Sequence, residues 1–327
     1  MKVAMIRLFK LALCIFGIII VVIAVWGITH QILTAVEGNS TPGLGDMVTV
    51  DGQKMCVYSK GEGENTIVLM SGLGTTSPIL DFAPIIDRLS KKNRVIVVEP
   101  LGYGFSDLTG KERSVQNIVN EMRSALKASE IPEPYILMPH SISGIYATYY
   151  ANTYPDEVQG IIGIDCTLPK QVKYFESSKN WKVPFIAKLV CPLGGSRLIS
   201  IISPQTFISE NKNNAYSGDN LKMQKKISAW KGFNKTVINE INCIDKNIET
   251  TFNMKFQRNL PILFFTIPPK NKVAREDGKT SISFYQTYIT NESCQHVKEM
   301  NGTHYLHWSS ADDMDYAIEK FLRDFIK

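Results

Sequence analysis

The sequence predicts an α/β architecture: a mostly parallel sheet with helices on both faces, an inserted helical cap and one transmembrane helix at the N-terminus. Three observations carry this prediction. From residue 66 to 165, short continuously apolar runs alternate with segments of helical period. That is the pattern of parallel strands joined by crossover helices. The alternation stops after 165 and resumes at 260, as an insertion would make it. Leu11 to Ile28 contains only apolar residues and glycine.

Taken in order, the N-terminal run comes first. Its 18 residues would extend about 27 Å as a helix, close to the roughly 30 Å of bilayer hydrocarbon. Lys2, Arg7 and Lys10 precede it, and Glu37 is the first full charge after it. This asymmetry predicts a cytoplasmic N-terminus with the rest of the chain outside. A cleaved leader, leaving a secreted domain, is the rival reading. Its apolar stretch should span about 7–15 residues and end in a small-x-small site. This run is longer and offers only Gly27-Ile28-Thr29, which favours an uncleaved anchor in the lipid bilayer through residues 11–28. Residues 1–36 read as the anchor and the Gly/Pro-rich 37–46 as a flexible linker.

The hairpin follows. Met47–Val50 and Lys54–Ser59 flank Asp51-Gly52, a turn pair for antiparallel strands. Thr66–Met70, Arg94–Glu99, Tyr135–Met138 and Gly160–Asp165 read as buried strands. Ser77–Leu89, Val115–Ser129 and Ile145–Asn152 read as helices between them. Residues 166–259 hold lysine-rich helical stretches, strongest at Phe185–Val190 and Leu221–Ile244, and form the expected cap. Leu260–Ile267 and Gln295–Met300 resume the strands, and Asp315–Ile326 closes as an amphipathic helix.

Composition narrows the function. The chain has 327 residues, 44% hydrophobic and 20% charged, a globular balance. It can bury a core without staples. Net charge is +5, but the basic residues are scattered rather than striped, which argues against nucleic acid. The six cysteines form no CxxC or metal-ligand spacing, so no metal site is expected. They read as small buried hydrophobes, with one or two bridges left open. Four Asn-x-Ser/Thr sequons occur, at Asn39, Asn234, Asn291 and Asn301.

Met138-Pro-His-Ser-Ile-Ser-Gly144 joins a strand to a helix. A nucleophile on such an elbow needs small residues two places before and after it. With Ser141 those places are Pro139 and Ser143. With Ser143 they are Ser141 and Ile145, whose β-branched bulk would clash. Ser141 is therefore the candidate, with Pro139 standing where glycine is expected. The helix starts directly after Ser141, so the N–H of Ile142 is placed to meet an oxyanion.

These stretches resemble the α/β-hydrolase-fold serine hydrolases. His140-Ser-Ile-Ser-Gly144 is similar to the family's His-Ser-x-Gly-Gly elbow. Ser71-Gly-Leu-Gly74 stands where the family has its His-Gly loop. Gly102-Tyr-Gly-Phe-Ser-Asp107 and Gly302-Thr-His304 resemble two further family loops. The resemblance covers about 47–165 and 260–327 and implies an eight-stranded, mostly parallel sheet. It implies the N–H of Leu73 as a second oxyanion donor and His304, rather than His307, as the general base. The acid stays open. The usual loop after the seventh strand has no carboxylate until Glu276 and Asp277, whereas Asp165 ends the sixth strand, where some members take the acid. No carboxylate at all is the third possibility.

The expected function is a membrane-anchored serine hydrolase. It would act on a carboxylic ester, of a small-molecule or lipid-like acyl substrate, through an acyl-enzyme on Ser141. No cofactor is called for. Peptidase or acyltransferase chemistry would use the same residues. A non-catalytic binding protein on this fold is the alternative of a different class.

Overall fold

A computed structural model describes residues 2–177, 181–184, 188, 190–211, 214–268 and 277–326. Eight strands form one sheet: β1 (Asp46–Val50), β2 (Gln53–Lys60), β3 (Thr66–Met70), β4 (Arg94–Val98), β5 (Tyr135–Pro139), β6 (Val158–Ile164), β7 (Ile262–Thr266) and β8 (Gln295–Glu299). Their order is β1-β2-β4-β3-β5-β6-β7-β8. The β1–β2 and β2–β4 pairs are antiparallel and the rest are parallel. The hairpin forms at Asp51 and Gly52, both at positive φ, as a tight turn between right-twisted strands requires.

The two-residue period of each strand divides the core into two layers. Val68 and Met70 join one apolar cluster, Ile67 and Leu69 the other. Helices Val115–Ala128 and Ser143–Thr153 cover the first face. Helices Ala83–Leu89 and Ala311–Phe325 cover the second. A side chain buried this way stabilises the fold by about 1.5–3 kcal/mol, and both faces are continuously covered. The result is the α/β-hydrolase fold, with parallel strand ends gathered along one edge.

Several elements differ from the sequence reading. The helix expected over 77–89 is two, Pro78–Asp81 and Ala83–Leu89, meeting at Phe82. Pro84 cannot donate to the preceding turn, and its ring crowds that turn's carbonyl. The helix expected over 221–244 is also two, Gly218–Lys231 and Lys235–Thr251. Gly232 weakens the junction, and Asn234 caps the second helix by accepting from the N–H groups of Thr236 and Val237. Its side chain is buried there, so this sequon is not a surface site. Helix Gly195–Ile202 was not foreseen, and the helix expected at Phe185–Val190 lies largely outside the described residues. All six thiols are free.

The N-terminal helix runs from Lys2 to Ser40 and is long and apolar enough to cross a membrane. It corrects the linker reading: residues 37–40 are helical, and only 41–45 separate the helix from β1. The cap holds this extra turn in place. Arg197 donates to both oxygens of Glu37 at 3.0 and 2.7 Å and to Nδ1 of His30 at 3.2 Å. Gln31 donates to the carbonyl of Pro192.

Candidate active site

The strand-to-helix turn at 139–143 is sharp. Ser141 has φ 52°, the left-handed region that a side chain adopts only at a cost. The turn is closed by neighbours on both sides. The N–H of His140 donates to Met70 on β3 at 2.9 Å, and that of Ser141 to Ile164 on β6 at 3.3 Å. Because strand residues alternate sides, the donor that Pro139 lacks would have faced β6. The elbow forms regardless, since the bonds at 140 and 141 frame it. A side chain at Gly144 would put its Cβ 2.4 Å from the carbonyl of Thr167, so only glycine lets the helix pass there. Ser143 is buried and gives its hydroxyl to the carbonyl of Ser71. Of the two serines, Ser141 is the one turned toward a histidine.

That histidine is His304, on the loop after β8. Its Nε2 lies 2.9 Å from Ser141 Oγ and its Nδ1 lies 2.6 Å from Asp165 Oδ2. The tautomer satisfying both contacts carries its proton on Nδ1, leaving Nε2 to accept from the serine hydroxyl. Asp165 directly follows β6 and is fixed by its N–H to Phe265 and by the Thr266 hydroxyl. The side chains of His304 and Asp165 are 40% and 15% exposed. Of the other acids considered, Asp277 is tied to Lys279 and Glu276 lies outside the described residues.

Ser71–Gly74 runs alongside. A Cβ at Gly72 would come 2.9 Å from His140 Nδ1 and 3.2 Å from Ser141 Cβ, so the loop approaches the elbow only because that residue is glycine. Among the described residues, no protein acceptor takes the N–H of Leu73 or of Ile142. The loop is held from the cap side: the N–H of Gly74 donates to the Tyr103 hydroxyl, which donates to Glu240 on a cap helix at 2.8 Å. A cavity of about 940 Å³ opens between core and cap. Leu73 and His304 line its floor; Phe207, Phe233, Val237 and Ile241 of the cap line its roof.

The Gly102–Asp107 loop is a brace rather than a reactive site. A Cβ at Gly104 would collide with the carboxylate of buried Glu99. Burial raises the pKa of Glu99, against bonds from the Phe105 N–H and the Ser77 hydroxyl. The Ser106 hydroxyl and the Asp107 carboxylate tie the loop back to Glu99 and Lys54.

A second aspartate–histidine pair escaped the sequence reading, which weighed His307 only as the lesser candidate for the base. His307 is fully buried, with Nε2 2.8 Å from Asp81 Oδ2. Asp81 also accepts from Trp308 and from Ser209 of the cap. His140 lies between the two pairs, its ring 4.8 Å from those of both His304 and His307. Its Nε2 is 3.1 Å from the carbonyl of His304. Burial, together with the two neighbouring histidines, pushes its pKa well below the ordinary value. It is therefore neutral and can donate to that carbonyl, steadying the loop. Adjacency to Ser141 was the one signal in the sequence. Asp81 carried none, because it stands 226 positions from its partner.

Comparison with known proteins agrees with this architecture. Residues 65–186 match the family model described as alpha/beta hydrolase fold. A protein of Bacillus subtilis described as uncharacterized, YbdG, is 30% identical over 307 residues, covering 90% of this chain and 91% of that one. A pimeloyl-[acyl-carrier protein] methyl ester esterase of Aliivibrio salmonicida is 29% identical over 127 residues, covering 38% of this chain and 44% of the esterase. Among solved structures, a Vigna radiata epoxide hydrolase variant superposes with TM-score 0.65 at 16% identity, over 86% of this chain and 98% of that one. With its sheet order, its elbow and a relative matched along nearly its whole length, the chain belongs to the α/β-hydrolase-fold family.

Proposed function

We propose that this protein is a membrane-anchored serine hydrolase that cleaves a carboxylic ester. One observation carries the reading: Ser141 Oγ, His304 and Asp165 form a continuous hydrogen-bonded chain of 2.9 and 2.6 Å beside a large cavity. His304 takes the hydroxyl proton as Ser141 attacks the carbonyl. The N–H groups of Leu73 and Ile142, without acceptors among the described residues, meet the tetrahedral oxyanion. His304 then protonates the leaving alcohol, and water, activated by the same imidazole, releases the acid. Asp165 orients the ring and stabilises its charged form.

The nucleophile's identity favours acyl chemistry over epoxide opening, despite the structural likeness to epoxide hydrolases. A serine that opened an epoxide would be left as an ether, which water cannot cleave, whereas an acyl-serine turns over. Residues 11–28 would hold the protein in the cell membrane, with Lys2, Arg7 and Lys10 keeping the N-terminus cytoplasmic and the catalytic domain outside. Fluorophosphonate labelling of the full-length protein tests the chemistry. Labelling of the wild type that vanishes in Ser141→Ala is expected. A folded wild type that fails to label would support the non-catalytic binding reading instead. A panel of p-nitrophenyl esters beside aminoacyl anilides then separates esterase from peptidase, and transfer to added alcohols would reveal an acyltransferase.

A further inference from the structure

Helix Gly195–Ile202 of the cap is amphipathic in the opposite sense to an ordinary surface helix. Its buried residues are Gly195, Ser196, Arg197 and Ser200. Its exposed residues include Leu198, Ile199, Ile201 and Ile202, the last two 58% and 73% exposed. Leu193, also exposed, extends the patch. Helices that meet water turn their apolar residues inward, and grouped apolar exposure marks a surface that meets another apolar phase.

The inward polar face has specific partners. Arg197 is neutralised by Glu37 of the N-terminal helix, and the Ser196 hydroxyl donates to Gly232 at 2.6 Å. The helix therefore presents no unpaired charge with its apolar face. Its position along the anchor is also fixed. A Cβ at Gly27 would meet Leu193 at 3.1 Å, and one at Gly194 would meet Trp26 Nε1 at 3.0 Å. Gly27 and Trp26 belong to the last turn of the apolar run ending at Ile28. Leu193 thus abuts the anchor at the level where hydrocarbon gives way to headgroups, a depth that tryptophan favours. Just past Ile202, Gln205 to Ile208 enter the lining of the active-site cavity.

We propose that the cap is seated on the phospholipid bilayer, with Leu198, Ile199, Ile201 and Ile202 among the acyl chains of the leaflet nearest Ile28. The cavity then receives an acyl lipid directly from that leaflet, a step that rests on the anchor and ester-hydrolase readings above. The bilayer is the fitting occupant because the patch is continuous with an apolar run of membrane-spanning length.

Photolabelling tests this. The full-length protein is reconstituted into phosphatidylcholine vesicles containing a phospholipid with an acyl-chain diazirine, irradiated, digested with trypsin and mapped by mass spectrometry. Cleavage after Arg197 and Lys212 gives one peptide that holds the patch together with the cavity residues Gln205–Ile208, and fragmentation assigns patch adducts to residues 198–202. Lipid adducts are expected there as well as in residues 11–28. Replacing Ile201→Ser and Ile202→Ser together should cut adducts in the patch about tenfold, as loss of buried apolar area predicts. Anchor adducts and fluorophosphonate labelling of Ser141 should stay unchanged. Adducts confined to residues 11–28 would overturn the seat, as would cross-links between two copies of the chain in place of lipid adducts. Adducts in the patch without fluorophosphonate reaction would uphold the seat and overturn only the ester-hydrolase reading.

Discussion

The segment between β8 and the last helix carries two histidines three residues apart, each bonded to an aspartate: His304 in a loop and His307 on the short helix Leu306–Ser309. His304 meets Asp165 at 2.6 Å and His307 meets Asp81 at 2.8 Å. The two pairs are chemically alike and differ in what faces the other ring nitrogen. In His304 that nitrogen reaches a serine hydroxyl at a cavity wall. In His307 it is buried with no partner among the described residues, and the ring packs against Phe82. An imidazole–carboxylate pair thus supplies acid–base chemistry only where a reactive group and open space meet it. Elsewhere it is a strut, here joining the cap to the His304 loop through Asp81.

The sharpest way to separate the two pairs is to neutralise one acid. Asp165→Asn should lower kcat toward a p-nitrophenyl ester by about 10⁴-fold, because the ring loses its tautomer and its countercharge. His307→Phe should act on stability instead. The buried Asp81 carboxylate would lose one hydrogen-bond partner, a cost of about 1–3 kcal/mol, which urea unfolding would read. Ser141 in the folded fraction should still react with fluorophosphonate. If that reaction falls as far as in Asp165→Asn, the distinction between the pairs is lost.

His140, lodged between them, sets a pH dependence. Its folded pKa is pushed well below the ordinary 6.5, so below that pH the unfolded chain takes up a proton that the folded chain refuses. Its contribution to stability is complete above pH 6.5 and falls as the pH drops below it, by up to about 1.4 kcal/mol per unit. His140→Gln, whose side-chain amide takes the place of Nε2 and can still donate to the His304 carbonyl, should flatten that slope in unfolding curves measured from pH 7 to 5. Ser143→Ala should have the smallest effect, a loss of about 1 kcal/mol for one hydrogen bond, with labelling of Ser141 intact. Labelling lost there would reverse the choice between the two serines.

What could be read in advance follows from where each signal lies. β3, β5 and β6 are short and, apart from Gln159, made of apolar or small residues, and each is followed by its own loop, so strand and edge were legible together. The elbow was legible because sterics at 143 and 145 discriminate between two local registers. Asp165 could be placed only as one of several acids, since its reach to His304 depends on strand order. The Asp81–His307 pair was hidden because Pro84 breaks a helix that periodicity alone would continue, leaving Asp81 at its end. Helix Gly195–Ile202 was hidden because its pattern is inverted, and a search for core-facing stripes assigns its isoleucines to an interior they do not occupy.

The φ of 52° at Ser141 has a consequence for durability. Glycine adopts that backbone at no steric cost, while every other residue gives up about 1 kcal/mol or more to hold it. Ser141→Gly should therefore melt higher than Ser141→Ala, although both lack the hydroxyl. The fold's most robust version at this position is a disarmed one, and keeping the hydroxyl means keeping a tensioned backbone.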